Sequence, residues 1–210
     1  VLVAIHDFYD SPHSFGDNLY PDFYIWLHRL GELSHQVDYD WYIKTHPDFR
    51  GDGPAVLTQF VKEFPNFTIL PSTTSHLDIV RDGIDVALTV YGTIAMEYAA
   101  MGKAVVNASR FNPHVGYNFS LTPQDLDDYE RVILHLDELT LSPTVEDVLE
   151  YYFMHLIYPL PNWVFSDFQA FLDRCGGYYG AMTDAAYDAY VDDFDVERDR
   201  VTRAALRRFI

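Results

Sequence analysis

Short apolar runs alternate with segments of helical period along the first half of the chain. The runs are rich in valine, isoleucine and aromatic residues, which predicts β-strands. They cover residues 2–5, 41–43, 67–70, 86–90 and 104–107. The intervening segments predict helices over residues 22–37, 54–64, 76–81 and 94–101. Continuous apolar strands joined by helices are typical of a parallel sheet covered on both faces, so we expect an α/β fold with a doubly wound sheet of five or six strands.

The second half of the chain has no comparable strand pattern. Thr122-Pro123 and Ser142-Pro143 each place a proline after a residue suited to cap a helix, which favours helix starts at these points. Helical patterns follow near residues 123–136, 143–157, 166–174 and 195–209. We therefore expect an α/β domain over residues 1–120 and a helical extension over residues 121–210 that packs on it. The chain begins without Met on an apolar run, so we interpret it as part of a longer protein.

The composition excludes several classes of protein. Hydrophobic residues make up 49% of the 210, enough to bury a core. The acidic residues number 32 against 14 basic ones, and the net charge of -18 argues against nucleic acid or an anionic membrane as the main partner. The single cysteine, Cys175, permits no intrachain disulfide, which favours a reducing compartment such as the cytoplasm. No apolar run is long enough to form a transmembrane segment.

The motifs of several common enzyme classes are missing. The sequence contains no G-x-S-x-G elbow, no G-x-x-x-x-G-K-[ST] loop and no G-x-G-x-x-G fingerprint after the first strand. Serine hydrolases, P-loop NTPases and ordinary NAD enzymes are therefore disfavoured. The nine histidines include no pair at helical i, i+4 spacing beside a glutamate. His6, Asp7, Asp10 and His13 could gather around an ion, but we expect no metal.

Polar side chains follow all five predicted strands. In a doubly wound sheet the carboxyl ends of the strands share one edge, and ligands bind there. The candidate residues are His6, Asp7, Asp10 and His13 after the first strand, Lys44 and His46 after the second, Ser75 after the third, Tyr91, Gly92 and Thr93 after the fourth, and Asn107 and His114 after the fifth. Five strands that all deliver such groups favour a binding site at this edge.

The turn from the fourth strand into its helix suggests a phosphate site. Gly92 lets a ligand approach the backbone, and the N–H groups that begin the helix favour an anion near the Thr93 hydroxyl. Glu97 lies one turn further along and could accept hydrogen bonds from ribose hydroxyls. The structural alternative is that Gly92 only makes the turn, Thr93 caps the helix and Glu97 is solvated.

Lys44 and His46 stand two residues apart at the end of the second strand. Strand alternation places their side chains on the same side of the sheet. An ammonium and an imidazole together could hold a diphosphate or a departing phosphate. The alternative is that Pro47 ends the strand and His46 merely caps it.

The residues from Gly92 onward resemble a segment of a known enzyme family. Residues 92–106 are similar to the donor-binding segment of GT-B glycosyltransferases, whose pattern is roughly G-[ST]-x-x-x-E-x-x-x-x-G-x-P-V. Ala104 stands where proline is usual. The resemblance implies that Gly92 and Thr93 hold the donor phosphates and that Glu97 binds the ribose.

A second motif belongs to related enzymes. The sequence Lys-Thr-His-Pro at residues 44–47 resembles the HP motif of capsule-polysaccharide transferases, bacterial sialyltransferases and the polyol-phosphate transferases of teichoic acid synthesis. That motif implies that His46 contacts the donor phosphate. Some of these families carry a Ser-Ser or Ser-Thr pair where this chain has Gly92-Thr93. The resemblance covers residues 1–120 and implies the Rossmann-like C-terminal half of a GT-B enzyme.

The resemblance implies a function. The chain would be the donor-binding half of a glycosyltransferase, inactive alone, that moves a sugar from a nucleotide to a capsule or envelope glycan. It would need no cofactor or metal, because Lys44 and His46 would stabilise the leaving phosphate. Asp7, Asp10 or His13 could contribute the general base, although that group normally belongs to the N-terminal domain of the same chain. The enzyme would be cytoplasmic or peripheral to the inner membrane. A non-hydrolysing nucleotide-sugar epimerase and a non-catalytic binding module of the same fold are the alternatives.

Overall fold

The protein is described here by a computed structural model covering residues 1–10, 17–46, 49, 51–140, 145–158 and 167–207. Two compact units make up the chain, Val1–His155 and Leu156–Ile210. The first unit contains the sheet, and the second is helical in its described part.

Five parallel strands form the sheet of the first unit. They are β1 (Leu2–Ile5), β2 (Trp41–Thr45), β3 (Phe67–Ile69), β4 (Val86–Thr89) and β5 (Ala104–Asn107). Their order across the sheet is β3-β2-β1-β4-β5, and all neighbouring pairs are parallel. This arrangement confirms the predicted α/β class and is Rossmann-like.

Helices connect the strands and follow the last one. They are α1 (Phe23–Ser34), α2 (Gly53–Glu63), α3 (His76–Arg81), α4 (Ile94–Ala100), α5 (Leu126–Leu134) and α6 (Val145–Tyr152). Asp22 begins α1 by accepting a hydrogen bond from the N–H of Ile25. Gly83 and Gly102 follow α3 and α4 with φ of 102° and 72°, the left-handed conformation that favours glycine at the end of a helix.

The two faces of the sheet carry separate hydrophobic cores. Successive strand residues point to opposite faces, so Val3 and Leu2 belong to different cores. The core that contains Val3 is covered by α1, α2 and α5, and the core that contains Leu2 is covered by α3, α4 and α6. The sheet is therefore doubly wound, as the continuous apolar strands predicted.

Helix α5 begins later than predicted. Asp125, not Thr122, caps it, because the Asp125 carboxylate accepts a hydrogen bond from the N–H of Asp128 over 2.8 Å. The prediction that Pro123 occupies the first turn is therefore wrong. Tyr129 and Ile133 of α5 are buried in the hydrophobic core that α1 also covers, so the first unit continues beyond residue 120.

Helix α6 also belongs to the first unit. Its Val148 and Tyr151 are buried in the core of α4, and a π-helical turn, Phe153–Ile157, continues it. The predicted helix start at Ser142-Pro143 lies outside the described residues.

The second unit contains α7 (Phe168–Arg174), α8 (Asp184–Asp192) and α9 (Val196–Leu206). Its small core holds Phe171, Cys175 and Ala189. The patterns at 166–174 and 195–209 predicted α7 and α9, and α8 was not predicted. Within the described residues, no helix is both long and apolar enough to cross a bilayer.

Candidate functional site

Three buried polar side chains lie in one row across the carboxyl half of the sheet. Lys44 pairs with Ala4, and Thr89 pairs with Asn107. The register of β1 with β4, in which Val3 pairs with Leu88, brings Ala4 beside Thr89. Lys44 is 5% exposed, and Thr89 and Asn107 are fully buried. We call Lys44, Thr89 and Asn107 the polar row.

The polar row lies on the face of the sheet that α4 covers. Thr89 and Asn107 each come two residues after a strand residue of the α4 core, Ala87 and Val105, so they point to the same face. The row thus lies below the turn that leads from β4 into α4. The sequence predicted Lys44 and Asn107 as site residues but missed Thr89, whose only signal is a hydroxyl within an otherwise apolar strand.

Lys44 carries a buried positive charge. Its Nζ donates a hydrogen bond to the Ser72 carbonyl over 2.8 Å, which uses one of its three N–H groups. Burial lowers the pKa of Lys44. No ion pair of the described residues involves this ammonium. A charge withdrawn from water without a counterion is costly, and a bound anion would compensate it.

His76, at the start of α3, lies near this ammonium. Burial lowers the pKa of His76, and the charge of Lys44 lowers it further. The Nδ1 atom of His76 is 3.1 Å from the hydroxyl of Tyr98, whose own pKa is raised by burial. In the tautomer in which the hydroxyl donates to Nδ1, the Nε2 atom is an N–H donor. His76 follows the predicted site residue Ser75 directly, yet the sequence pattern did not single it out.

His6 contacts the turn that follows β4. Its Nε2 accepts a hydrogen bond from the N–H of Tyr91 at 3.5 Å and lies 3.2 Å from the Thr89 hydroxyl. The ring stacks on Phe23 with 4.6 Å between centroids. Burial and, to a smaller extent, His46 together lower the pKa of His6 from 6.5 to about 4. His6 is thus a neutral acceptor that positions the turn, and not a cation.

Gly92 has no room for a side chain. A Cβ atom at this position would lie 2.8 Å from the Thr89 hydroxyl, which itself accepts a hydrogen bond from the Gly92 N–H over 3.2 Å. A chain of hydrogen bonds therefore runs from Gly92 through Thr89 to His6 and fixes the turn. The tight turn by itself is sufficient reason for a glycine here.

Thr93 and Glu97 face water at the start of α4. Thr93 occupies the N-cap position of α4, but its side chain makes no capping hydrogen bond. Its hydroxyl is exposed and is not used by the helix. Glu97 is also exposed, and partial desolvation raises its pKa. Both residues can therefore reach a ligand placed above the turn.

The remaining residues predicted after β1, β2 and β3 occupy the same edge of the sheet. His46 is exposed and lies near enough to His6 to lower its pKa. The Asp7 carboxylate accepts a hydrogen bond from the N–H of Tyr9 over 3.1 Å, and the Asp7 carbonyl accepts one from the N–H of exposed Asp10. Ser75 caps α3 by accepting from the N–H of Leu77. The predicted residues His13 and Pro47 lie outside the described residues.

Asn107 and His114 are buried in a polar network and do not line an open cleft. The Asn107 amide nitrogen donates to Ser120 over 2.9 Å, and its oxygen accepts from Nε2 of His114 over 3.2 Å. Burial lowers the pKa of His114 from 6.5 to about 4, so the ring is neutral. The two residues order the connection from β5 to α5 at the β5 end of the polar row.

The described residues include no group of three or more His, Cys, Asp or Glu side chains placed to hold a metal ion. His6, Asp7 and Asp10, which could have contributed to one, instead engage in the turns described above.

No protein-family model, no curated protein and no solved structure matches this chain. Its function is therefore argued from the geometry of the polar row and the turn above it. The arrangement offers a buried ammonium, an imidazole N–H, an exposed imidazole and an unused hydroxyl around one edge of the sheet. Such a set of donors suits an anionic group, and a phosphate most of all.

Proposed function

We propose that the chain is the donor-binding half of a nucleotide-sugar-dependent glycosyltransferase of the GT-B type, acting in capsule or cell-envelope polysaccharide synthesis. The observation that carries the proposal is the buried ammonium of Lys44, which has no counterion among the described residues. It stands at the carboxyl edge of a doubly wound sheet, where nucleotides bind in such folds.

The donor phosphates would occupy the space between Lys44 and the turn at Gly92. Lys44 supplies charge, and the Thr93 hydroxyl and the Nε2 N–H of His76 supply further hydrogen bonds. His46 adds a second positive charge when it is protonated. The ribose would extend toward Glu97, whose exposed carboxylate lies one helical turn beyond Thr93.

The reaction transfers the sugar from the phosphate to an acceptor hydroxyl. The bond between the sugar C1 and the phosphate oxygen breaks, and its electron pair stays on the phosphate. The acceptor oxygen bonds to C1, and its proton passes to a general base. Lys44 and His46 stabilise the negative charge that develops on the leaving phosphate. Asp7, on the loop after β1, is the candidate base within this half, and a second domain would bring the glycan acceptor.

Calorimetric titration with CMP, CDP, UDP and GDP tests the proposal. We expect one of them to bind with a dissociation constant in the micromolar to low millimolar range. Lys44→Met should weaken this binding about ten-fold or more, because it removes the buried charge that the phosphate compensates. Lys62→Met, at an exposed lysine of α2, is the matched control and should bind like the native chain.

Two results would contradict the donor site. The first is that none of the four nucleotides binds at millimolar concentration. The second is that Lys44→Met binds as tightly as the Lys62→Met control. If a nucleotide sugar is converted without any acceptor, the chain is an epimerase and not a transferase.

A further inference from the structure

A cavity lies on the other side of the sheet from the polar row. It is a groove of about 320 Å³ between the loop after β1, the start of α1 and one side of α2. Its walls are mainly aromatic and acidic. We call the following residues the aromatic groove: Phe8, Tyr9, Tyr24, Phe60, Asp52 and Glu63. Phe60 belongs to the α1 core, whereas the polar row faces the α4 core.

Two of the aromatic side chains of the groove are exposed to water. Tyr9 is 68% exposed and Tyr24 is 44% exposed. Phe8 packs edge-on against Tyr24, with 6.2 Å between ring centroids and 72° between the planes. The groove thus brings together aromatic rings from several elements, and the electron-rich faces of aromatic rings attract cations.

The charged groups of the groove are acidic. Asp52 lies at the start of α2, where its carboxylate is 3.5 Å from the hydroxyl of Tyr9. Glu63 lies at the end of α2, 3.3 Å from Nε2 of His28. None of the described residues that line the groove is a lysine or arginine. The groove therefore repels phosphates and attracts positive charge, unlike the polar row.

We infer that the aromatic groove binds a small organic ammonium ion, such as a trimethylammonium group. Aromatic faces combined with carboxylates are the chemistry that recognises this class of ligand. The volume is at the lower end of the range for ligand pockets, so it suits one small group and not an extended chain. This site is independent of the proposed donor site.

Two ligands of the same shape, one charged and one neutral, test whether the aromatic groove requires a positive charge. Choline and its neutral isostere, in which carbon replaces the nitrogen, are titrated against the full chain by saturation-transfer NMR and calorimetry. We expect choline to bind in the millimolar range and the isostere to bind about five-fold more weakly or less. Glucose, as a neutral sugar, is the third arm and should not compete with choline. Equal binding of choline and its isostere, or displacement of choline by glucose, would overturn the inference.

Variants of the groove test its location. Tyr24→Ala should weaken choline binding about three- to ten-fold, whereas Tyr24→Phe keeps the ring and should bind nearly normally. Asp52→Asn should weaken binding about two- to five-fold, and less so at high salt. Tyr187→Ala, at a tyrosine of the second unit that is 71% exposed, is the control.

Binding of the tested nucleotides should be unchanged in Tyr24→Ala, so failure of this inference and failure of the donor site are separate results. The inference fails if Tyr24→Ala, shown to be folded by circular dichroism, binds choline as tightly as the Tyr187→Ala control does. It also fails if Tyr24→Phe loses binding to the same extent as Tyr24→Ala.

Discussion

The three lysines of the chain have three different environments. Lys62 is exposed, and Lys103 lies 3.3 Å from the carboxylate of Asp85. Lys44 alone of the three is buried, and its ammonium donates a hydrogen bond to the neutral carbonyl of Ser72. A carbonyl solvates an ammonium only partly, so the bond to Ser72 offsets only part of the cost of burying this charge. Burial of a charge without a counterion is expected of a residue that serves ligand binding at the expense of stability.

Removal of the Lys44 charge should therefore stabilise the protein in the absence of ligand. Met has similar length and no charge, so Lys44→Met should raise the free energy of unfolding by about 1–2 kcal/mol while nucleotide binding is weakened. Urea denaturation of the variant and the native chain measures this difference, with Lys62→Met as the control. A destabilisation of similar size would mean that the bond from Lys44 to Ser72 is structural, and the stability argument for a ligand site would then fail.

Two histidines with lowered pKa values should make the protein sensitive to acid. Burial lowers the pKa of His6 and of His114 from 6.5 to about 4. Between these pH values the unfolded chain binds protons that the folded chain does not bind, so the free energy of unfolding falls as the pH falls from 6.5 to about 4. Each histidine accounts for up to about 3 kcal/mol of this loss.

Denaturation at neutral pH and near pH 4.5 checks this expectation. His6→Gln and His114→Gln remove one titrating group each, and each should flatten the dependence of stability on pH whatever its effect at neutral pH. A slope in both variants equal to that of the native chain would show that other groups govern the acid response.

The bounds of an element were predicted well where its sequence carries a single clear pattern. Strands β1 and β5 match their predicted bounds because each is an uninterrupted apolar run on a two-sided sheet. Helix α8 was missed because aspartates interrupt its apolar positions, so the chain around it reads as acidic and polar. The start of α5 was misplaced because a carboxylate cap at Asp125 took precedence over the Thr-Pro signal.

The polar row could be predicted only in part, because it depends on the register between strands. Sequence alternation places Lys44 on one side of β2, but it does not say which residue of β4 lies in the same row. Thr89 was hidden inside an apolar run, and His76 was placed near Lys44 only by the packing of α3. Asn107 and His114 were predicted at the correct edge, but their burial depends on the fold of the connection from β5 to α5.

Helices α1 and α5 are joined by a buried hydrogen bond. The indole N–H of Trp26 donates to the hydroxyl of Tyr129 over 2.7 Å, and both side chains are fully buried. At the edge of this contact, Arg29 makes two hydrogen bonds to Glu130, of 2.7 and 2.6 Å. These bonds attach α5 to the sheet unit even though α5 follows the last strand.

Removal of the Tyr129 hydroxyl should weaken this attachment measurably. Tyr129→Phe leaves the indole N–H of Trp26 buried and unsatisfied, so it should lower the free energy of unfolding by about 1–3 kcal/mol. Tyr39→Phe removes an exposed bond to Asp137 and should cost about 0.5 kcal/mol or less. Chemical denaturation compares the two. Equal losses would show that the bond to Trp26 contributes no more than an exposed one.

At the scale of the whole molecule, both hydrophobic cores and the candidate site belong to residues 1–155. The polar row, the turn at Gly92 and the aromatic groove are all formed by this unit. Its second core includes Val148 and Tyr151 of α6, which pack with Phe119. The sequence alone placed the domain boundary at residue 120, where the strands end, because it carries no sign that α5 and α6 complete the two cores.

Truncated chains test whether the first unit ends at residue 120 or at His155. A chain that ends at His155 keeps both cores, so we expect it to unfold cooperatively and to bind nucleotide with the affinity of the full chain. A chain that ends at residue 140 loses α6 and exposes the face that Tyr151 covers, so its free energy of unfolding should fall by about 3 kcal/mol or more. A chain that ends at residue 120 also loses α5, leaves Trp26 without Tyr129, and should not fold.

Circular dichroism with urea denaturation and nucleotide titration of the three chains provide the measurement. If the chain ending at residue 120 is as stable as the one ending at His155, then α5 and α6 are accessory to the fold, and the donor site needs only the five strands and the helices between them.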